Sequence, residues 1–318
     1  MSRPITVLYI GGYGRSGSTL LERMFGLIPG FFSVGELRHI WERSFKENQL
    51  CGCGEAFYSC EFWNPLVNEV FGDWNKVNVD EILAMKRSVD RLRYIPYYTW
   101  FTRTGNLGEG IRKRLKDYGT ILDRLYHKIQ DHSGANVIVD SSKDPSYAFM
   151  LNTLPYFDLR LVHLVRDSRA VVYSWLRQRV RPEIKDRREF MPRFSPIKSS
   201  LEWNLYNYAL DYLAKRMEHS SLLRYEDLVN NPARFVYKTL NDLNLAPTQL
   251  PLTDEKKLIL GKNHTVSGNP MRFQNGLVEI RPDEEWRIKM RARDRHLTTC
   301  VTLDLLRRYS YFGTEKRA

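Results

Sequence analysis

Residues 11–20, GGYGRSGSTL, hold the side chains and backbone best suited to binding an anion. The segment combines several glycines with one cation, Arg15, and three hydroxyl residues, Ser16, Ser18 and Thr19. Glycines allow the backbone to wrap closely around a ligand. The free N–H groups at the start of the following helix favour negative charge. The segment therefore predicts a phosphate-binding loop between a strand and a helix.

The spacing of this loop resembles that of nucleotide kinases, but its cation is displaced. A kinase loop has Lys directly before the hydroxyl residue, where it contacts the β- and γ-phosphates. Ser18 stands at that position, and the basic residue is Arg15. Asp140, after a hydrophobic run, is the one contender for a magnesium ligand. The pattern favours a phosphate with another group attached, and a P-loop kinase is the alternative.

A second candidate phosphate site follows the hydrophobic run 159–165. Arg166 comes directly after this run, and open α/β sheets bind ligands at the carboxyl ends of their strands. Ser174 lies two helical turns further on and can face the same side. The other interpretation is an ordinary pair between Arg166 and Asp167 at a helix start.

These two segments, in this order and about 150 residues apart, resemble sulfotransferases that use 3′-phosphoadenosine 5′-phosphosulfate (PAPS). The carbohydrate and tyrosylprotein branches are the most similar. The resemblance implies that Arg15 neutralises the leaving phosphate, and that Arg166 and Ser174 hold the 3′-phosphate. It implies that the 5′-phosphosulfate is held by Gly14, Arg15, Ser16, Gly17, Ser18, Thr19 and Leu20.

Three further residues follow from the same resemblance. Lys143, in a Lys-Asp-Pro motif, is expected to contact the transferring sulfuryl group. Glu36, in a Gly-Glu pair, is the candidate general base, with nearby His39 as the rival and a salt bridge to Arg38 or another arginine as the structural alternative. Arg272 lies in a segment similar to the one that closes over the nucleotide, so it is a candidate phosphate ligand. The reaction needs no metal, and the expected acceptor is a hydroxyl or an amine.

The elements that must position these residues are short β-rich runs separated by helical stretches. The runs cover residues 5–10, 31–34, 136–139, 159–165 and 221–224. Buried runs spaced by helices indicate a parallel sheet. We expect a P-loop-like three-layer α/β fold of about five strands, one domain over 1–318. A helical insertion is predicted at about 65–133 and a flexible, lid-like loop at about 179–200.

Composition limits the function classes. The chain has 49 Lys and Arg against 37 Asp and Glu, a net charge of +12, which indicates an anionic partner. The basic residues are scattered, so a nucleic-acid-binding protein is a second alternative and no nucleic-acid partner is expected. No apolar run is long enough for a membrane span, and the first apolar stretch is typical of a strand, which predicts a cytoplasmic enzyme. The acceptor class (small molecule, glycan, lipid or peptide) and the oligomeric state stay open.

Cys51, Cys53 and Cys60 form the only cysteine cluster in the sequence. A structural zinc site requires four ligands, and the nearest histidine along the chain is His39. Thiols or a local disulfide are therefore favoured over zinc.

Overall fold

The structure is a computed structural model that describes residues 3–178, 180, 189–245, 247, 249, 252–254 and 256–312. Its strands are β1 Ile5–Gly11, β2 Phe31–Gly35, β3 Val137–Lys143, β4 Phe157–Val165, β5 Ser220–Arg224, β6 Leu252–Asp254, β7 Lys257–Leu260 and β8 Gly276–Glu279. Its helices are α1 Ser18–Phe25, α2 Trp63–Phe71, α3 Val79–Val89, α4 Ile95–Thr104, α5 Glu109–Ser133, α6 Pro145–Thr153, α7 Ser168–Leu176, α8 Pro196–Ala214, α9 Tyr225–Asn230, α10 Pro232–Asp242, α11 Glu285–Lys289, α12 Ala292–Val301 and α13 Leu303–Arg308.

The central sheet is parallel and has the strand order β2-β3-β1-β4-β5. The five predicted runs become its five strands, so the predicted fold class is confirmed. The largest error in strand length concerns β3, which continues four residues past the predicted end at Val139. Polar Asp140 and Ser142 extend it because their own side chains bond to each other inside the sheet.

Helices cover both faces of the sheet. Along β1, Val7 and Tyr9 pack into one core and Leu8 and Ile10 into the other, as the two-residue period of a strand requires. The first core lies under α5, α6 and α8, and the second under α1, α9 and α10. A strand buried on both faces reads as a continuous apolar run, which is why the runs were recognisable.

Two regions differ from a simple alternation of strands and helices. Helices α2 to α5 lie between β2 and β3, at residues 63–133. A small antiparallel sheet of order β6-β7-β8 was not predicted. Its strands are three or four residues long, too short for their period to stand out.

The predicted lid-like loop is only partly within the described residues. Residues 179 and 181–188 lie outside them. The prediction is wrong for residues 196–200, which form the first turns of α8. Pro196 suits the first helical position because its missing N–H has no helical partner there, and the side chain of Ser195 caps the helix.

The carboxyl ends of four neighbouring strands face one edge of the sheet. Gly11 leads from β1 into the glycine-rich loop, and Arg166 follows β4. Glu36 follows β2, and Lys143 ends β3. The fold therefore brings segments separated by more than a hundred residues to a single edge, where open α/β sheets bind ligands.

Candidate active site

A cavity of about 1010 Å³ opens at this edge of the sheet. Its walls come from the glycine-rich loop, the ends of β2, β3 and β4, the start of α8 and residues 268–271. A cavity of this size is at the upper end of those that hold small molecules. It has room for a nucleotide together with part of a second molecule.

The glycine-rich loop has the backbone shape of an anion-binding turn. Arg15 and Gly17 both have positive φ, 74° and 94°, and α1 begins at the next residue. Gly17 is required there because a Cβ atom would lie 2.5 Å from the ring of Tyr225. The N–H groups of Ser18 and Thr19 have no acceptor among the described residues. These N–H groups and the helix dipole together favour a bound anion.

The side chain of Arg15 contacts an aromatic ring and a thioether sulfur. Its guanidinium lies 4.7 Å from the centre of the Trp175 ring. One of its N–H groups points at the sulfur of Met191, at 2.9 Å. The stacking and the sulfur contact orient the guanidinium, and Arg15 lines the cavity.

Arg166 lies on the other side of the same loop. Its guanidinium stacks on Tyr225 at 4.4 Å and donates to the carbonyl of Arg15 at 3.2 Å. It also pairs with the carboxylate of Asp283 at 3.1 Å. Its Nε is buried and has no partner among the described residues. Ser174, on α7, lines the same cavity.

Glu36 and Lys143 form an ion pair that lines the same cavity. Nζ of Lys143 lies 2.5 Å from Oε1 of Glu36. The second carboxylate oxygen is 3.3 Å from Oγ of Ser267 and 3.9 Å from the guanidinium of Arg43. Burial raises the pKa of Glu36, but the charges of Lys143 and Arg43 outweigh that effect and lower the pKa to about 2. Glu36 is therefore an ionised carboxylate at neutral pH.

Backbone strain marks Lys143 as a positioned residue. It has a φ of 68°, which is unfavourable for a residue with a side chain, and its ammonium also donates to the carbonyl of Ser141 at 3.0 Å. Non-glycine residues in this region cluster at functional sites. The strain indicates that the end of β3 is shaped to aim the ammonium at Glu36.

His39, the rival base, lines the cavity as well. Burial lowers its pKa well below the ordinary value, and the charge of Arg43 adds to the effect. Its imidazole is therefore neutral at pH 7. Glu36 is the one of the two that contacts Lys143 directly.

Comparison with known proteins agrees with this geometry. The sequence model described as "Sulfotransferase family" matches residues 8–248, about three quarters of the chain. The chain belongs to the sulfotransferase family. No protein among the curated ones compared matches this sulfotransferase.

Solved sulfotransferase domains share the fold. The sulfotransferase domain of the Synechococcus PCC 7002 olefin synthase is 19% identical with a TM-score of 0.52, and the match covers 98% of this chain and 97% of that one. The sulfotransferase domain from the curacin biosynthetic pathway is 16% identical with a TM-score of 0.51, and the match covers 94% of this chain and 98% of that one. At these identities the likeness concerns the fold.

Membership of this family decides against the kinase and the nucleic-acid-binding alternatives. The structure gives an independent reason against the kinase. Both carboxylate oxygens of Asp140 are engaged, one by Ser142 and the other by Tyr126 at 2.6 Å. Asp140 is fully buried and does not line the cavity, so it cannot hold a magnesium ion there.

The structure does not bring every predicted residue to the cavity. The guanidinium of Arg272 donates to the carbonyls of Leu50 and Thr265, both at 2.8 Å, and Arg272 does not line the cavity. Ser16 is buried beneath the loop, and its hydroxyl has no partner among the described residues. The other predicted residues line the cavity: Gly14, Arg15, Gly17, Ser18, Thr19, Leu20, Glu36, Lys143, Arg166 and Ser174.

Several residues of the site were missed by sequence reasoning. Arg43 and Ser267 contact Glu36, and Asp283 contacts Arg166. Arg43 lies on a π-helical turn, Ile40–Lys46, a rare conformation that is frequent at functional sites. No local motif marks these residues, because each reaches the site only through the fold.

Among the described residues, no helix is long and apolar enough to span a membrane.

Proposed function

We propose that this sulfotransferase uses PAPS as its donor and transfers the sulfuryl group to a hydroxyl or amine of an acceptor. The observation that carries the proposal is the arrangement of charge in one cavity. Arg15 and Arg166 lie at the glycine-rich loop, and the Glu36–Lys143 pair lines the same cavity. A donor with phosphates at both ends of its ribose and an acceptor with a proton to lose match these two halves.

The residues around the loop fit such a donor. The N–H groups of Ser18 and Thr19 have no acceptor among the described residues. Buried polar groups are normally paired, so these groups favour a ligand that accepts their hydrogen bonds. Oxygen atoms of a 5′-phosphosulfate have that chemistry. The guanidinium of Arg166, with Ser174 beside it, suits the 3′-phosphate.

The reaction is an in-line displacement at sulfur. The acceptor oxygen or nitrogen forms a bond to sulfur while the bond between sulfur and the phosphate oxygen breaks. Glu36 takes the acceptor proton, and Arg15 stabilises the charge that develops on the leaving phosphate. The ammonium of Lys143 contacts the oxygens of the sulfuryl group during the transfer.

The Glu36–Lys143 pair explains how a carboxylate with a low pKa acts as a base. A base with a pKa of about 2 is weak, since general bases work best near the operating pH. When the Lys143 ammonium turns towards a sulfuryl group, Glu36 loses its closest cation and burial then raises its pKa. The carboxylate therefore becomes more basic when the donor is in place.

Binding of the donor can be tested without knowing the acceptor. Adenosine 3′,5′-bisphosphate is expected to raise the melting temperature of the protein, and ATP with magnesium is expected to do so far less. A larger shift with ATP and magnesium would contradict the proposed donor. Labelled PAPS with panels of small-molecule, glycan, lipid and peptide acceptors would then identify the acceptor class.

The base is tested by Glu36→Gln. This change should leave the affinity for adenosine 3′,5′-bisphosphate within about twofold and lower kcat about 100-fold or more, since general bases contribute factors of this size. The matched control is Glu47→Gln at an exposed site outside the cavity. If Glu36→Gln lowers kcat by less than about fivefold, the general base is His39 or another group.

A further inference from the structure

Three cysteines and a histidine meet in a cluster outside the cavity. Cys51, Cys53 and Cys60 lie on one ten-residue segment, and His264 comes from a segment more than 200 residues later. Their ligand atoms all lie within 4.8 Å of one another. Sequence reasoning missed this histidine because the nearest one along the chain is His39. We call these four residues the Cys3His cluster.

The distances in the Cys3His cluster suit four ligands around one metal ion. Sγ of Cys60 lies 3.6 Å from Sγ of Cys51 and 3.7 Å from Sγ of Cys53. Two zinc–sulfur bonds of about 2.3 Å at the tetrahedral angle place their sulfur atoms about 3.8 Å apart. A disulfide needs about 2.05 Å, and all three cysteines are free thiols here. Nδ1 of His264 lies 3.2 Å from Sγ of Cys60.

The surroundings of the Cys3His cluster also suit a bound cation. Backbone N–H groups of Phe62 and Trp63 point at the sulfur of Cys60, as expected for a thiolate. The other ring nitrogen of His264, Nε2, lies 3.7 Å from the carboxylate of Glu61. Histidines that bind metals commonly direct their second nitrogen to a carboxylate, which fixes the ring.

We propose that Cys51, Cys53, Cys60 and His264 bind one Zn²⁺ ion as a structural site. Three thiolates and one imidazole form a ligand set typical of structural zinc. Four protein ligands leave no open position for a substrate, so the metal does no chemistry on the sulfuryl group. Cys51 and Cys60 are fully buried, which also separates the site from the cavity.

The zinc site would fix the segment that supports Glu36. Directly after His264, the carbonyl of Thr265 accepts from the N–H of Gly52, and the carbonyl of Val266 accepts from the N–H of Glu36, both at 2.9 Å. Ser267 then contacts the carboxylate of Glu36. Gly35 allows this close approach, because a Cβ atom there would clash with the carbonyl of Val266.

Zinc binding itself does not depend on the proposed function, whereas its link to the general base does. The two are distinguishable because metal content is measured without any substrate. A protein that contains zinc but does not use PAPS would leave the metal site in place and remove only the link to catalysis.

The first test is the metal content of the full chain, purified without a histidine tag. Elemental analysis is expected to find about one zinc per chain, as in structural sites with four protein ligands. The variants Cys60→Ser and His264→Ala should lose it. Cys300→Ser is the matched control, since Cys300 is exposed and lies far along the sequence on α12, and it should keep the zinc. Wild-type zinc content in Cys60→Ser and His264→Ala would overturn the proposal.

A second set of measurements uses the wild-type protein, so that the proposal is tested even where a variant fails to fold. In the wild-type protein, a mercurial that blocks thiols should release zinc, and zinc should protect three of the four cysteines from alkylation. Replacement by Co²⁺ should give the visible absorption of tetrahedral cobalt with thiolate ligands. A protein with no zinc and a disulfide within 51–60, or one with bound iron instead, would overturn the proposal.

Discussion

The two halves of the cavity are built in different ways. The donor half consists of the glycine-rich loop and Arg166, which follow β1 and β4, and these strands are neighbours in the sheet. The base half consists of Glu36, Lys143 and Ser267, which come from three distant segments. Each part of the donor half is a short contiguous motif, whereas the base half exists only after folding.

The two halves also treat charge differently. In the donor half, Arg15 and Arg166 stack on the rings of Trp175 and Tyr225, and Arg166 also pairs with the carboxylate of Asp283. In the base half, Glu36 is matched by Lys143 at 2.5 Å. The donor half is a fixed electrostatic template. In the proposed mechanism, the charge of the base half changes when Lys143 turns from Glu36 to the sulfuryl group.

The largest expected effect follows from removing the fixed cation of the donor half. Arg15→Ala should lower kcat/KM about 1000-fold, because a preorganised group that stabilises developing charge contributes factors of this size. It should also weaken binding of adenosine 3′,5′-bisphosphate in a calorimetric titration. Arg293→Ala, an exposed arginine on α12, is the control. Near-normal turnover in Arg15→Ala would show that the glycine-rich loop does not take part in the reaction.

The contrast between the halves also explains what could be predicted from the sequence. The five strands and the glycine-rich loop were recognisable because their signals are local: apolar runs, glycines and their spacing. Arg272 was expected at a phosphate, but its guanidinium binds the carbonyls of Leu50 and Thr265. Only the fold brings those carbonyls to it, so no sequence pattern could have revealed them. The same holds for His264 and the cysteines.

A smaller effect, visible in the pH profile, is expected in the base half. Lys143→Met removes the closest cation of Glu36, so less charge opposes the effect of burial and the pKa of Glu36 rises from about 2. A higher pKa means that the base becomes protonated at a higher pH. The acid limb of the kcat/KM profile, which reports the free enzyme, should therefore move upward.

Wild-type kcat/KM should show no acid limb from Glu36 down to about pH 4, as far as the protein stays folded. Lys116→Met, at an exposed site on α5, should keep the wild-type profile. An unchanged acid limb in Lys143→Met would show that the ion pair does not set the ionisation of the base.

The smallest effect concerns Asp283, a carboxylate that contacts a cation of the donor half. Asp283 pairs with Arg166 at 3.1 Å and is partly exposed, and such pairs contribute about 0–1 kcal/mol. Asp283→Asn removes a negative charge that competes with the 3′-phosphate. Binding of adenosine 3′,5′-bisphosphate should therefore tighten by up to about fivefold. Glu284→Gln removes the same charge one residue later, at a site that pairs with Arg287 instead, and should change affinity little. Weaker binding in Asp283→Asn would mean that the carboxylate orients Arg166 for the phosphate, so that the donor half, like the base half, depends on a charge pair.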